Sequence, residues 1–137
     1  MPHSLLSEAK VVKASAAHIG TAGTMTATAV DGTGFDRALF IFQLGAATNT
    51  ATIDIKITDC DTSGGSYTNT ASTALTQIID TGGGTIHVID IPVKAARPFM
   101  KTLIVTATAA FVNSAVCLLY NGSRSTITQV ATQSVVL

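Results

Sequence analysis

Residues 51–58 have the sequence ATIDIKIT, in which isoleucine occupies positions 53, 55 and 57. Ile53, Ile55 and Ile57 alternate with polar or charged residues along the whole stretch. Successive side chains of a β-strand point to opposite faces, so this alternation predicts a strand with one core face and one solvent face. The stretch therefore favours a fold built from half-buried β-sheets.

Strand patterns recur on both sides of this stretch, at spacings that suit a sandwich or barrel. Residues 37–44, RALFIFQL, carry apolar residues at both odd and even positions, which predicts a central strand buried on both faces. The remaining candidates are weaker strands at 10–19 and 24–30, a glycine-linked hairpin of 74–80 with 84–91, and a further pair of 98–109 with 114–122. The predicted fold is a single all-β domain, a jelly-roll-like antiparallel β-sandwich of about eight short strands.

The composition excludes several classes of function. The chain has 137 residues, with eight Lys plus Arg against eight Asp plus Glu, and no Trp. A net charge of zero gives no electrostatic basis for binding nucleic acid or an anionic membrane. We find neither a signal-peptide pattern nor a stretch of about 18 apolar residues, so we expect no secretion through a signal peptide and no membrane span.

The apolar content is high for so small a chain. Hydrophobic residues make up 47% and charged residues only 12% of the sequence, and the mean hydropathy is +0.45. Large exposed apolar patches usually mark contact sites. We therefore expect part of the apolar surface to be covered by a partner.

Candidate catalytic and metal-binding residues are few. A nucleophile with a base needs a histidine near a serine or cysteine, and His3, His18 and His87 all lie in contexts that favour structural or solvent roles. Asp59 and Asp61 alternate before glycines, which favours a hairpin turn over a calcium site because the EF-hand order of ligands is missing. The sequence predicts no enzyme, no metal, no cofactor and no small-molecule substrate.

Cys60 and Cys117 have no CxxC spacing and no histidine nearby in the sequence. Two small buried thiols are the favoured interpretation, although one disulfide is the alternative. The glycine-containing stretches lack the context of a phosphate-binding loop and predict turns. Asn121 and Gly122 predict a tight turn that needs a positive φ.

The order of turn and strand motifs resembles the head decoration, or cement, proteins of tailed bacteriophages. The resemblance covers residues 11–124 and depends on three groups: Asp31, Gly34, Phe35 and Asp36; Asp61, Ser63, Gly64, Gly65 and Tyr67; and Arg97–Lys101. One departure lies in the turn at residues 59–67, which has Gly-Gly where the family pattern has Asp-Gly. These motifs are turn and strand signatures, so the resemblance concerns architecture more than chemistry.

The resemblance implies a structural virion protein on the outside of an assembled capsid. Such a protein binds the major capsid protein, bridges neighbouring copies and often forms a homotrimer. It is made in the host cytoplasm and resides on the capsid surface of the virion. The alternatives are a phage tail or fibre component, and a carbohydrate-binding β-sandwich module, for which Tyr67 and Tyr120 are the available tyrosines.

Neither end of the chain shows a clear pattern of turn-forming residues. We predict an N-terminal arm at 1–9, a sandwich domain at 10–124, and a C-terminal strand or arm at 125–137. Neither end is needed to complete the central strand pattern, so both are candidates for contact with the shell or another subunit. The predicted contact residues are Ser4, Leu5, Leu6, Lys10, Lys13, Val135, Val136 and Leu137.

Overall fold

A computed structural model describes residues 8–18, 21–25, 27–69 and 73–121 of the chain. Ten strands lie within these ranges. They are β1 (Lys10–His18), β2 (Gly23–Thr24), β3 (Val30–Asp31), β4 (Arg37–Ala47), β5 (Thr52–Cys60), β6 (Thr68–Asn69), β7 (Ile78–Ile79), β8 (Ile86–Pro92), β9 (Phe99–Ala107) and β10 (Phe111–Tyr120). A 3₁₀ turn, Asp80–Gly82, follows β7. No helix in the described ranges is long and apolar enough to cross a membrane.

The strands form two antiparallel sheets. Sheet 1 has the order β1-β10-β4-β8, and sheet 2 has the order β2-β9-β5-β6, with β3 also paired to β9 and β7 also paired to β5. The pairing is nested: β1 pairs with β10, β2 and β3 with β9, β4 with β8, and β5 with β6 and β7. The ten strands thus fill eight positions of one long hairpin wound into two sheets. This arrangement is a jelly roll and confirms the predicted fold class.

The core lies between the inner faces of the two sheets. Strand β4 contributes Phe40, Phe42 and Leu44, and β5 contributes the three isoleucines of the opening motif, at 0–2% exposure. Each such side chain contributes roughly 1.5–3 kcal/mol when fully buried. The other large, fully buried side chains include Val30, Met100, Ile104, Phe111 and Leu119.

The predicted pairing of 74–80 with 84–91 is wrong, and so is that of 98–109 with 114–122. Strands β7 and β8 lie in different sheets, as do β9 and β10, so neither pair forms a hairpin. Each connection crosses between layers, and a left-handed residue lies in each: Gly84 with φ 77° and Thr108 with φ 69°. A connection between the two sheets lets both strands direct an apolar face into the same core. A hairpin within one sheet permits this as well. The hydrophobic pattern of the two strands therefore does not distinguish a hairpin from a connection between sheets.

The prediction for residues 37–44 is half correct. Strand β4 is internal in sheet 1, and its inner face is fully buried. On its outer face, Leu39 and Ile41 are only partly buried, and no described segment covers them. The apolar residues on both faces of this strand therefore mark a strand whose second face is covered by none of the described segments.

The turn that follows β5 is a hairpin, as predicted. Thr58 pairs with Asn69, and Asp59 pairs with Thr68. Asp59 itself is 4% exposed and holds the loop after β8, because Oδ2 accepts a 2.8 Å hydrogen bond from Lys94 Nζ and Oδ1 accepts one of 2.5 Å from Arg97 Nε. This ion-pair cluster ties the end of β5 to the loop between β8 and β9.

Candidate interaction surface

The predicted contact residues are only partly within the described ranges. Ser4, Leu5, Leu6, Val135, Val136 and Leu137 lie outside the described residues. Lys10 and Lys13 both lie on β1, three positions apart and therefore on opposite faces of the strand. Lys10 is opposite Leu119, a core residue, whereas Lys13 is opposite Val116 on the outer side. Lys13 is thus the described contact candidate that borders the outer surface of sheet 1.

The outer surface of sheet 1 carries an unbroken set of apolar side chains. In one row across the sheet, Val116 lies opposite Ile41, and Ile41 lies opposite Val88. In the next row Leu118 is opposite Leu39, and β1 adds Val11 opposite Leu118. We call the seven aliphatic residues of this surface the apolar face: Val11, Leu39, Ile41, Ile86, Val88, Val116 and Leu118.

Three members of the apolar face are strongly exposed. The exposed fraction is 66% for Ile86, 55% for Val88 and 43% for Val116. An antiparallel sheet with one solvated side normally alternates apolar residues inward with polar residues outward. Strands β4, β8 and β10 break that rule on the same side of sheet 1. Contiguous exposure of this kind is typical of a surface that contacts a partner.

Polar groups lie at the rim of the apolar face. At one end Tyr120 donates a 2.6 Å hydrogen bond to Asp90 Oδ2, and Arg37 Nε lies 3.1 Å from Asp90 Oδ1. Hydrogen bonds to Tyr120 and then to Asp90 raise the pKa of the Arg37 guanidinium. The charges of this cluster are therefore paired within the molecule, and no described charged residue lies between the rows of aliphatic side chains.

The outer surface of sheet 2 is different in character. It carries Asp54, Lys56 and Lys101 along β5 and β9, and Gln77 donates a 2.8 Å hydrogen bond to Asp54 Oδ2. An open cleft of about 390 Å³ lies here between Leu75 and Leu103, but Asp54 and Lys56 interrupt its apolar lining. The two outer surfaces are thus asymmetric, with the apolar one on sheet 1.

Candidate catalytic residues are engaged in structural contacts. His87 Nε2 lies 2.8 Å from Thr85 Oγ1, and His18 Nε2 lies 3.3 Å from the carbonyl oxygen of Thr21, whereas His3 is outside the described residues. Asp59 is occupied by Lys94 and Arg97. Within the described ranges no three His, Cys, Asp or Glu residues are grouped as metal ligands would be.

Cys60 and Cys117 are free and buried, as predicted. Burial raises the pKa of the Cys117 thiol to about 12, so the thiol is protonated at neutral pH. A protonated, buried thiol is neither a nucleophile nor an accessible ligand. Cys117 acts as a small apolar group of the core, whereas Cys60 Sγ lies 3.4 Å from Asp61 Oδ1.

Both tyrosines, which are the candidate residues of the carbohydrate-binding alternative, make contacts within the chain. Lys101 Nζ lies 4.4 Å from the centroid of the Tyr67 ring, and the Tyr67 hydroxyl donates to the carbonyl oxygen of Ser63. The hydroxyl of Tyr120 is held by Asp90 and Arg37 at the rim of sheet 1. A carbohydrate platform needs open aromatic rings, and among the described residues both tyrosines have other contacts.

The sequence is matched by no protein-family model and no curated protein. Among solved structures it is similar to a chain of infectious bursal disease virus, Gt strain, with a TM-score of 0.44 and 11% identity over 87% of this chain and 34% of that chain. The protein therefore spans about a third of that viral chain. A chain of the Bacillus endospore appendages, described as a novel family of disulfide-linked pili, gives 0.40 and 20% over 90% and 98%.

A chain of the Israel acute paralysis virus pentamer gives a TM-score of 0.39 and 11% identity over 96% of this chain and 77% of that chain. These likenesses are too distant to carry an argument about function. The fold assignment rests on the nested strand pairing, and any functional conclusion rests on the surfaces of this chain.

The sequence pattern did not single out the residues of the apolar face, and the predicted contacts were six residues of the two arms together with Lys10 and Lys13 of β1. The available signal was the apolar residues at both parities of 37–44, together with Val116 and Leu118 beside the buried Cys117 and Leu119. Such runs predict a strand covered on both sides. They do not say whether the second cover comes from the same chain or from another one.

Proposed function

We propose that this chain is a structural virion protein that binds the outside of an assembled phage capsid and stabilises the shell by bridging neighbouring major capsid proteins. The observation that carries the proposal is the apolar face on a neutral jelly roll whose described candidate catalytic groups are engaged elsewhere. The motif resemblance to phage decoration proteins supplies the particular shell. The partner is the major capsid protein, and the location is the capsid surface after synthesis in the host cytoplasm.

The mechanism is selective binding to one state of the partner. A ligand that binds only the assembled shell stabilises that shell by mass action, and its effect grows with the number of copies bound. Covering aliphatic surface contributes roughly 25 cal/mol per Å² removed from water. The apolar face is suited to this task because its burial requires no desolvation of an unpaired charge among the described residues.

The arms at 1–9 and 125–137 are proposed as additional contacts. They contain Ser4, Leu5, Leu6 and the apolar end Val135, Val136 and Leu137. Ala9, the last residue of the first arm, is 1% exposed, so the deletion that tests this arm stops at residue 7. We expect this deletion to weaken capsid association while the fold stays intact. Unchanged binding of the deletion variant would remove the arm from the proposal.

The homotrimer implied by the resemblance is part of the same proposal. Three-fold assembly would place three apolar faces side by side on the shell and raise the avidity of the complex. Light scattering of the full chain at micromolar concentration tests this part. A strictly monomeric mass would contradict a trimer that forms before binding.

The direct test uses particles from the phage genome that encodes this chain, produced with and without its gene. Particles lacking the protein are expected to release DNA at a lower temperature, and the purified full chain added back is expected to bind and to restore the wild-type temperature. Particles that form normally, bind no added protein and are equally heat-resistant would contradict the proposal.

A further inference from the structure

Among the described residues, one edge of sheet 1 has no partner strand. Strand β8 is the last strand of the sheet and pairs with β4 on one side only. The Leu44 amide donates to Thr85, and the Val93 amide donates to Asp36, with distances of 2.9 and 2.8 Å. In an antiparallel pair, alternate residues direct both backbone groups to the partner strand. The odd-numbered residues of β8 therefore face β4.

The even-numbered residues of β8 consequently direct their backbone groups away from the sheet. The outward amides and carbonyls belong to Ile86, Val88 and Asp90, and we call these three residues the β8 edge. The carbonyl of Asp90 has one long contact, 3.5 Å from Arg37 Nη2. Pro92 is the next even residue and has no amide to offer, so the β8 edge ends there.

The other described sheet edges are shorter or shielded. The Ala14 carbonyl of β1 accepts the Thr28 amide at 3.0 Å, and Ser15 forms a bridge with Ala27. Lys13 stands exposed on the same strand, and exposed lysine is a common device against edge pairing. The edge strands of sheet 2, β2, β3, β6 and β7, have two residues each.

The β8 edge has none of these protections up to Pro92. Its side chains on the outer surface are Ile86 and Val88, which are the two most exposed large hydrophobic residues among those described. Its one charged side chain, Asp90, is already paired with Arg37 and Tyr120. An unpaired, aliphatic strand edge whose one charge is neutralised within the chain is a template for another strand.

We propose that the β8 edge is a homotypic contact that pairs with the β8 edge of a second copy of this chain. A two-fold axis at Val88 places Val88 opposite its symmetry mate and Ile86 opposite the mate's Asp90. Because all three residues of the edge then face outward-directed partners, the register uses every free amide and carbonyl of the edge. Sheet 1 continues across the axis, and the apolar faces of the two copies join into one surface.

A second copy of this chain is the favoured partner of the β8 edge. Two copies of the edge can pair in the register described above, and their charges do not repel each other. Each Asp90 is neutralised within its own chain, so two copies meet without repulsion between unpaired charges. Pairing of one short strand buries less than the roughly 1,600 Å² of a standard protein interface. The contact therefore belongs to the weak class and forms where copies are concentrated, for example on a repeating surface.

The test is cysteine cross-linking of the full-length chain at high micromolar concentration. The variant Val88→Cys places a thiol at the two-fold axis, where facing Cα atoms of a hydrogen-bonded pair lie about 5.5 Å apart, within the range of a disulfide. Val116→Cys is the matched control, because Val116 is also exposed on the apolar face but lies two strands from the edge. The native cysteines are buried and do not interfere.

Under mild oxidation we expect Val88→Cys to give at least about tenfold more covalent dimer than Val116→Cys, as the required Cα separation predicts. A second variant, Val88→Pro, removes the outward amide while keeping an apolar side chain, and we expect its mass measured by light scattering to rise less steeply with concentration than that of the wild type. Equal cross-linking of the two cysteine variants would overturn the proposal. So would amide protection at Val88 that is independent of protein concentration, because it would mean that the chain itself covers the edge.

These outcomes are separable from those of the proposed function. Capsid binding is measured with the unsubstituted chain, because Val88 belongs to the apolar face, whereas the homotypic contact is read from cross-linking of the Val88→Cys variant. Loss of cross-linking with retained capsid binding would overturn the homotypic contact alone. Cross-linking without capsid binding would overturn the capsid role alone.

Discussion

Val116 and Ile41 lie directly opposite each other on the outer surface of sheet 1. Val88 continues the same row on the far side of Ile41, and Lys13 ends it on the side of Val116. No described segment of the chain packs over this row, and its members are exposed or only partly buried. The row is therefore the feature on which the proposed capsid contact depends.

The first prediction concerns the middle of that row. Val116→Lys introduces a charge into the apolar face, and we expect at least about a tenfold loss of affinity for capsid particles because the charge must be desolvated in the complex. The free energy of unfolding should change by less than about 1 kcal/mol, since the side chain is already partly exposed. Co-sedimentation with particles lacking the native protein measures the affinity.

Thr24→Lys is the matched control for this variant. It adds the same charge at an exposed position of β2, on the outer side of sheet 2 opposite Val105. We expect binding equal to that of the wild type. Equal loss of binding in both variants would mean that net charge, and not the apolar face, governs the association.

A second prediction concerns the edge of β5. The hydroxyl of Thr73 accepts a 3.3 Å hydrogen bond from the Ile57 amide and donates one of 3.0 Å to the Ile57 carbonyl, so one side chain replaces a strand residue in the ladder. Thr73→Val keeps the shape but removes both bonds, and we expect a loss of about 2 kcal/mol in unfolding free energy. Urea denaturation measures it.

Thr73→Ser retains the hydroxyl and serves as the control. We expect it to lose less than about 1 kcal/mol, the contribution of the missing methyl group. If the serine variant is as unstable as the valine variant, packing of the methyl group is the cause, and the hydrogen-bond account of this edge is wrong.

The third prediction concerns the buried carboxylate of Asp59. Asp59→Ala removes the partner of both Arg97 and Lys94, and we expect a loss of about 2 kcal/mol, less than for a fully buried pair because both cations retain solvent contact. Lys94→Ala should lose less than about 1 kcal/mol, because the lysine side chain is 49% exposed. A larger effect of the lysine variant would reverse this order and contradict the account.

The fourth prediction concerns pH and the Cys117 thiol. Its pKa is raised to about 12 in the folded state, so above the ordinary value of 9.0 the unfolded chain loses this proton first. Stability contributed at this site is therefore complete below pH 9 and falls as the pH rises towards 12, by about 1.4 kcal/mol per pH unit. Comparison with Cys117→Ala by urea denaturation isolates this group from lysines and tyrosines.

The stability difference between wild type and Cys117→Ala should be constant up to about pH 8 and shrink above pH 9. A difference that stays constant to pH 11 would mean that the thiol is not shielded from water. Thiol reagents give an independent check, since Cys60 and Cys117 should react only after unfolding.

Much of the fold could be predicted from local pattern. The alternation of Ile53, Ile55 and Ile57 specified which face of β5 is buried, because a pleated strand converts spacing directly into facing. The hairpin at residues 59–67 and the left-handed Asn121, with φ 57°, followed from turn chemistry. These features depend on neighbours in the sequence, which is why the sequence is sufficient for them.

The layer to which each strand belongs could not be predicted in the same way. The connections before β8 and β10 are short and include Gly84 or Thr108 in left-handed conformations, which serve a hairpin and a crossover equally. The choice depends on long-range packing of the nested strand pairs. The candidate surface was missed for a related reason, since Leu39 and Ile41 belong to a strand that is central in its sheet but whose outer face no described segment covers.

The central claim is that the apolar face of sheet 1 is covered by a capsid. The most direct measurement is a cryo-EM reconstruction of particles from the encoding phage, at a resolution that orients a two-sheet sandwich. We predict a jelly roll on the outer surface of the shell with Val116, Ile41 and Val88 against the major capsid protein. Particles without this density, or with the apolar face directed to solvent, would contradict the account.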